Sequence, residues 1–102
     1  MSAKIKKNLV IDKLNEVIDP ELHMSIIDIG LVYNVNVEKD KVDILMTLTS
    51  LGCPLFDTIQ EDIYAAITQL GFKKEHIKIN LTFEPPWSMD RMTERGKAML
   101  GI

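Results

Sequence analysis

Apolar and polar positions along the chain repeat with two periods, and the places where the period changes mark its elements. Over the first segment Ile5, Leu9, Leu14, Val17 and Ile18 recur at helical spacing, and Asp19-Pro20 stops the pattern because a residue before proline avoids helical angles. This spacing predicts a helix over 3–17. Leu31, Tyr33, Val35 and Val37 then alternate with Val32, Asn34, Asn36 and Glu38, and Val42, Ile44, Met46 and Leu48 alternate with Asp43, Leu45, Thr47 and Thr49. The period of two predicts a pair of strands. Lys39-Asp40-Lys41 between them predicts an antiparallel hairpin with one apolar and one mixed face.

The helical period returns with Phe56, Ile59, Ile63, Ile67 and Leu70, opened by Pro54 and closed by Gly71, which predicts a bounded amphipathic helix. Ile77, Ile79, Leu81 and Phe83 alternate with Lys78, Asn80, Thr82 and Glu84, predicting a third strand that Pro85-Pro86 terminates, since consecutive prolines cannot donate to a ladder. Ser88 is then placed to cap a last helix with Met89, Met92, Met99 and Leu100 near one face. The expected order is helix, strand, strand, helix, strand, helix. An α+β fold, a three-stranded sheet with helices over one face, buries all these stripes.

Composition narrows the class. The 102 residues, 46% hydrophobic and 26% charged, suit one domain spanning residues 1–102 and one core, with no need of disulfides or a structural metal. Twelve lysines and arginines against 15 aspartates and glutamates leave a net charge of −3, without the dense basic field that nucleic-acid binding uses. Neither a signal-peptide pattern nor an apolar run of membrane-spanning length occurs, so a cytoplasmic protein without membrane contact is expected. The single cysteine suits a reducing compartment, where it persists as a thiol.

Candidate chemistry concentrates in Met46-Thr47-Leu48-Thr49-Ser50-Leu51-Gly52-Cys53-Pro54, where the second strand hands over to the second helix. A thiol at the start of a helix meets free amides and the positive end of the dipole, and such thiols titrate below the roughly 8.5 of free cysteine. Cys53 is then a metal ligand or nucleophile; the alternative is a small buried apolar residue. Asp19-Pro20-Glu21 sets two carboxylates on a loop after the first helix, either as a site or as a solvated helix stop. Trp87, leaving the sheet behind Pro85-Pro86, either covers the core edge or meets a partner. His23 and His76 fall in no ligand-spaced motif and read as surface histidines, and Met89, Met92 and Met99 read as core filling rather than a soft-metal site.

Four ordered blocks together resemble the PaaD-like and SufT-type metal-sulfur cluster assembly factors, related in fold to the carboxy-terminal domain of NifU. They are Asp19-Pro20-Glu21, Ile27-Asp28-Ile29-Gly30-Leu31-Val32-Tyr33, the run from Met46 to Pro54, and Phe83-Glu84-Pro85-Pro86-Trp87-Ser88, with a closing Leu100-Gly101. Where many relatives carry glycine and a small or polar residue, this chain has His23-Met24. The resemblance implies a factor that matures iron-sulfur proteins, with the reactive cysteine at Cys53 and with Asp19, Glu21 and Thr49 gathered in support. It covers general maturation and phenylacetate oxygenase maturation alike.

Ligand number decides how such a factor works. Common clusters take four protein ligands and one chain supplies one thiolate, whereas NifU-type relatives use a CxxC pair. No stably bound cofactor is expected, only an iron-sulfur cluster or iron held transiently on Cys53, and any cluster in the isolated protein is expected between two chains of a homodimer rather than in a monomer. The expected partners are the assembly machinery and apo iron-sulfur proteins, and the expected role is adaptor or carrier rather than enzyme. Two rivals remain: a cysteine-dependent enzyme such as a thiol peroxidase or acyl-transfer catalyst, and a plain interaction module with a structural cysteine. No second cysteine is present to resolve a sulfenic acid, which weighs against the peroxidase.

Overall fold

The first helix, α1 (Ala3–Leu14), ends three residues short of the expected Val17. Asn15 N still donates to Ile11 O, but Glu16 N and Val17 N donate only three residues back, to Lys13 O and Leu14 O, so the last turn tightens and stops. Val17 O meanwhile accepts from Ile26 N at 3.0 Å. The chain has by then joined a two-stranded ribbon of β1 (Ile18–Asp19) and β2 (Met24–Ser25), paired antiparallel. Ile18, expected in the helical stripe, is instead 45% exposed. The computed structural model describes residues 3–20, 22–49 and 56–101.

One helical turn follows, α2 (Ile26–Ile29), which no period in the sequence announced. Ser25 makes it: its Oγ accepts from Ile27 N and Asp28 N and donates to Asn15 Oδ1 at 2.6 Å, which ties the turn to the end of α1. Gly30, at φ 86, closes it, with its own N–H bonded back into the turn.

The main sheet has the order β3-β4-β5, with β3 (Val32–Glu38) and β4 (Lys41–Met46) antiparallel and β5 (Ile77–Leu81) parallel to β4. Glu38 pairs with Lys41, so the hairpin turn is the two residues Lys39-Asp40 rather than three, with Lys39 at φ 53. A bulge interrupts β3: Val32 pairs with Met46 but Asn34 with Leu45, leaving Tyr33 over. Because side chains alternate, one extra residue reverses the parity of everything before it. Val32, not Tyr33, therefore shares the core face with Val35 and Val37, and Tyr33 is released from the stripe where the sequence placed it.

A parallel neighbour needs a crossover, and α3 (Phe56–Thr68) supplies it between β4 and β5. Ile59, Ile63 and Ile67 are fully buried, and with Val10 and Leu14 of α1 they cover Val35, Val37, Val42, Ile44, Met46 and Ile77 on one face of the sheet. The last helix departs from expectation. Ser88 makes no side-chain cap and precedes only a 3-10 turn, Met89–Arg91. The helix proper, α4 (Glu94–Leu100), is capped by Thr93, whose Oγ1 accepts from Gly96 N. It packs on α2 rather than over the sheet, and of its expected stripe only Met92 is buried, while Met89, Met99 and Leu100 are exposed.

Candidate functional site

Asp19 closes β1 and is buried, which removes the reading of a solvated helix stop. One carboxylate oxygen accepts from Leu22 N at 3.1 Å and its main-chain oxygen accepts from His23 N at 2.8 Å, so Asp19 shapes the turn that follows it. His23 sits at φ 56, a left-handed position that suits glycine and strains a residue with a Cβ. Its side chain is exposed. Glu21 lies outside the described residues.

At the other block, Thr47 leaves β4 fully buried, its N–H donating to Leu31 O at 2.8 Å, and Leu48 is buried beside it. Thr49 is the first exposed residue after them. Cys53 lies outside the described residues, as does Pro54, while Phe56 three positions on begins α3. The segment that leads into β1 passes this helix: Glu16, Val17 and Ile18 face Asp62, Ala65 and Ala66 across a groove of about 340 Å³. Two alanines on the helix leave that space open. Among the described residues no three histidines, cysteines or carboxylates stand together as a metal-binding group. His76 pairs with Asp40, Nδ1 to Oδ2 at 3.5 Å.

The two remaining blocks meet each other. Trp87 is half-buried against the core, and its Nε1 donates to Ile29 O at 2.8 Å. Tyr33, freed by the bulge, donates its hydroxyl to Pro85 O at 2.7 Å, and the Arg91 guanidinium lies 4.3 Å from the centre of its ring. Asp28, buried in α2, accepts from Thr93 Oγ1 at 2.8 Å, and its main-chain oxygen accepts from Thr93 N at 3.0 Å. A Cβ on Gly30 would run into the Arg91 carbonyl. Residues 28–33 thus form the seat on which residues 85–96 are fastened. Periodicity did not expose Asp28, Thr93 or Arg91. The available signal was local: Thr93 followed by Glu94 and Gly96 has the form of a helix start.

The chain matches the family described as iron-sulfur cluster assembly protein over residues 7–79. It is 38% identical over 103 residues to the Fe-S protein maturation auxiliary factor YitW of Bacillus subtilis, an alignment spanning 100% of this chain and 99% of that one. It is 41% identical over 94 residues to a Fe-S protein maturation auxiliary factor of Porphyromonas gingivalis, covering 91% of this chain and 89% of the other. Its fold matches the crystal structure of a domain of unknown function from Bacillus anthracis with a TM-score of 0.91 at 37% identity, over 100% of this chain and 97% of that one. Among the described residues no helix is long and apolar enough to cross a membrane. With a match across most of its length and relatives of nearly its own size, the chain belongs to the iron-sulfur cluster assembly protein family.

Proposed function

We propose that this protein matures iron-sulfur proteins as an adaptor or transient carrier, engaging the assembly machinery and an apo-protein, with Cys53 as a temporary ligand. The observation that carries this is near full-length similarity to proteins named Fe-S protein maturation auxiliary factors, in a chain with one cysteine. A single thiolate cannot fill the four protein positions of a common cluster, so a cluster here is cargo in passage, completed by a partner's or client's ligands. The protein then works by binding and handing over rather than by turnover. Within this reading Glu21 and Thr49 assist at the loop. Asp19 acts chiefly by holding the turn that leads to His23, because its side-chain and main-chain oxygens accept from Leu22 N and His23 N. Carboxylates are harder ligands than cluster iron prefers and supplement thiolates rather than replace them.

The test is anaerobic reconstitution with iron and sulfide, followed by size exclusion with both elements counted in each peak, for wild type and Cys53→Ser. Little or no cluster in the monomer peak is expected, and stimulation of apo-protein maturation should fall with Cys53→Ser. A durable, stoichiometric cluster in the monomer would overturn the carrier reading. Undiminished maturation by Cys53→Ser would overturn the role of the thiol.

A further inference from the structure

At the end of α3 away from Phe56, the chain leaves the helix through Leu70, Gly71 and Phe72 and passes beside Leu9 of α1 and the Lys39-Asp40 turn. These residues line a cavity of about 170 Å³ that is open to solvent, with Leu9, Leu70 and Phe72 as its part-buried apolar members and Lys6 and the exposed Lys39 at its rim. We propose that this cavity is a docking site for an acidic segment of a partner protein that inserts one bulky apolar side chain between the two lysines.

Size selects the guest. Pockets for drug-sized ligands and cofactors run from about 300 to 1,000 Å³, whereas a cavity of about 150 Å³ takes a single benzene ring. The space therefore suits one aromatic or large aliphatic side chain. Charge selects what flanks it. The protein as a whole is acidic, with a net charge of −3, yet this rim carries two ammonium groups that enter no ion pair among the described residues. Lys6 Nζ donates to the main-chain oxygen of Lys39 at 2.9 Å, which holds the first charge at the rim. Asp40 also lines the cavity, so its charged residues, two lysines and one aspartate, sum to +1. Lys39 itself sits at φ 53 in the two-residue turn, a conformation in which asparagine or glycine is less strained.

This inference rests on the adaptor reading for its biological use and deepens it. The helix α3, 13 residues long, spans about 20 Å. A partner seated here would thus be held about one helix length from the chain that enters α3 after Cys53. An adaptor needs such separation to engage two proteins at once.

The probe is a short dye-labelled peptide with one phenylalanine between pairs of glutamates, compared with a glutamine version and an alanine version, and titrated in low salt. Binding should perturb the nuclear magnetic resonances of Leu9, Lys39, Leu70 and Phe72, and both control peptides should bind at least about tenfold more weakly. The Lys6→Glu, Lys39→Glu double variant should lose binding by a similar factor while melting as wild type does. Equal binding of the glutamine peptide, perturbation elsewhere on the surface, or no binding would overturn the proposal. So would two other occupants: vesicles rich in phosphatidylserine perturbing these residues when the peptide does not, or dilution alone shifting them, which would mean a second copy. Failure here with Cys53-dependent maturation intact condemns only the cavity. Peptide binding in a protein whose Cys53→Ser variant matures clients normally condemns only the role of the thiol.

Discussion

Thr93 Oγ1 donates to Asp28 Oδ1 at 2.8 Å across 65 residues of chain, and the two are also joined through the main chain, Thr93 N to Asp28 O at 3.0 Å. Thr93 is at the same time the cap of α4, so a single hydroxyl both starts the last helix and anchors it to α2. Arg95 approaches the other oxygen of Asp28 at 3.7 Å, but its side chain is 74% exposed, and a pair so open contributes little.

That ranking can be measured. Asp28→Ala should cost about 1 to 3 kcal/mol, as a buried acceptor lost from a satisfied network. Thr93→Ala should cost about 1 to 2 kcal/mol through the cap. Arg95→Ala should stay within about 0.5 kcal/mol. A double-mutant cycle on Asp28 and Thr93 by urea unfolding should give a coupling of about 1 kcal/mol, and strict additivity would mean that the bond does not stabilise the fold.

Gly30 and Gly71 both have positive φ, 86 and 101, yet differ in what surrounds them. A Cβ on Gly71 meets nothing within 4 Å, whereas on Gly30 it runs into the Arg91 backbone. Gly71→Ala should therefore show backbone strain alone, about 1 to 2 kcal/mol. Gly30→Ala should cost clearly more and should speed hydrogen exchange across residues 85–96. Equal costs by thermal or urea melts would show that the fastened segment yields freely.

His23→Gly should stabilise the protein. Relief of the left-handed conformation is worth about 1 to 2 kcal/mol, and the greater freedom of glycine in the unfolded chain returns about 0.4 to 1. The difference runs from about 0 to 1.6 kcal/mol, so a net gain of about 1 kcal/mol is expected, read as a higher urea midpoint with unchanged slope. A lowered midpoint would mean that the histidine side chain makes a contact worth more than the strain.

Trp87→Ala should lose about 2 to 3 kcal/mol, less than the 3 to 5 of a fully buried aromatic because the indole is only half-buried. Trp87→Phe keeps most of the packing and removes only the bond to Ile29 O, so about 1 kcal/mol is expected. A thermal melt unchanged by Trp87→Ala would leave the indole free for a partner.

Tyr33→Phe should cost about 0.5 to 1.5 kcal/mol, the worth of its hydroxyl bond to Pro85 O. The ring under Arg91 survives that change, so Tyr33→Ala should cost more. If the two substitutions melt alike in calorimetry, the stack contributes nothing.

By itself the sequence determined what local period and punctuation can encode: the helical stripe of Ile59, Ile63 and Ile67, the alternation of Val42, Ile44 and Met46, the hairpin, and the ordered blocks that mark an iron-sulfur assembly factor. These hold because each follows from neighbours a few residues apart facing one core. Tertiary structure decided the rest. The end of α1 at Leu14 follows from Val17 O being claimed by Ile26 N, nine positions on. The parity of β3 follows from a bulge that a period of two cannot reveal, since the extra residue is defined only against Met46 and Leu45 on the partner strand. Ser88 resembles a cap as well as Thr93 does, and Asp28 selects between them through a bond spanning most of the chain. Local pattern leaves Asp19 either a site or a solvated helix stop, and the fold, which places it in β1 opposite Met24, shows it buried. In each case the deciding partner lies beyond the reach of local pattern, so only the folded chain contains the information.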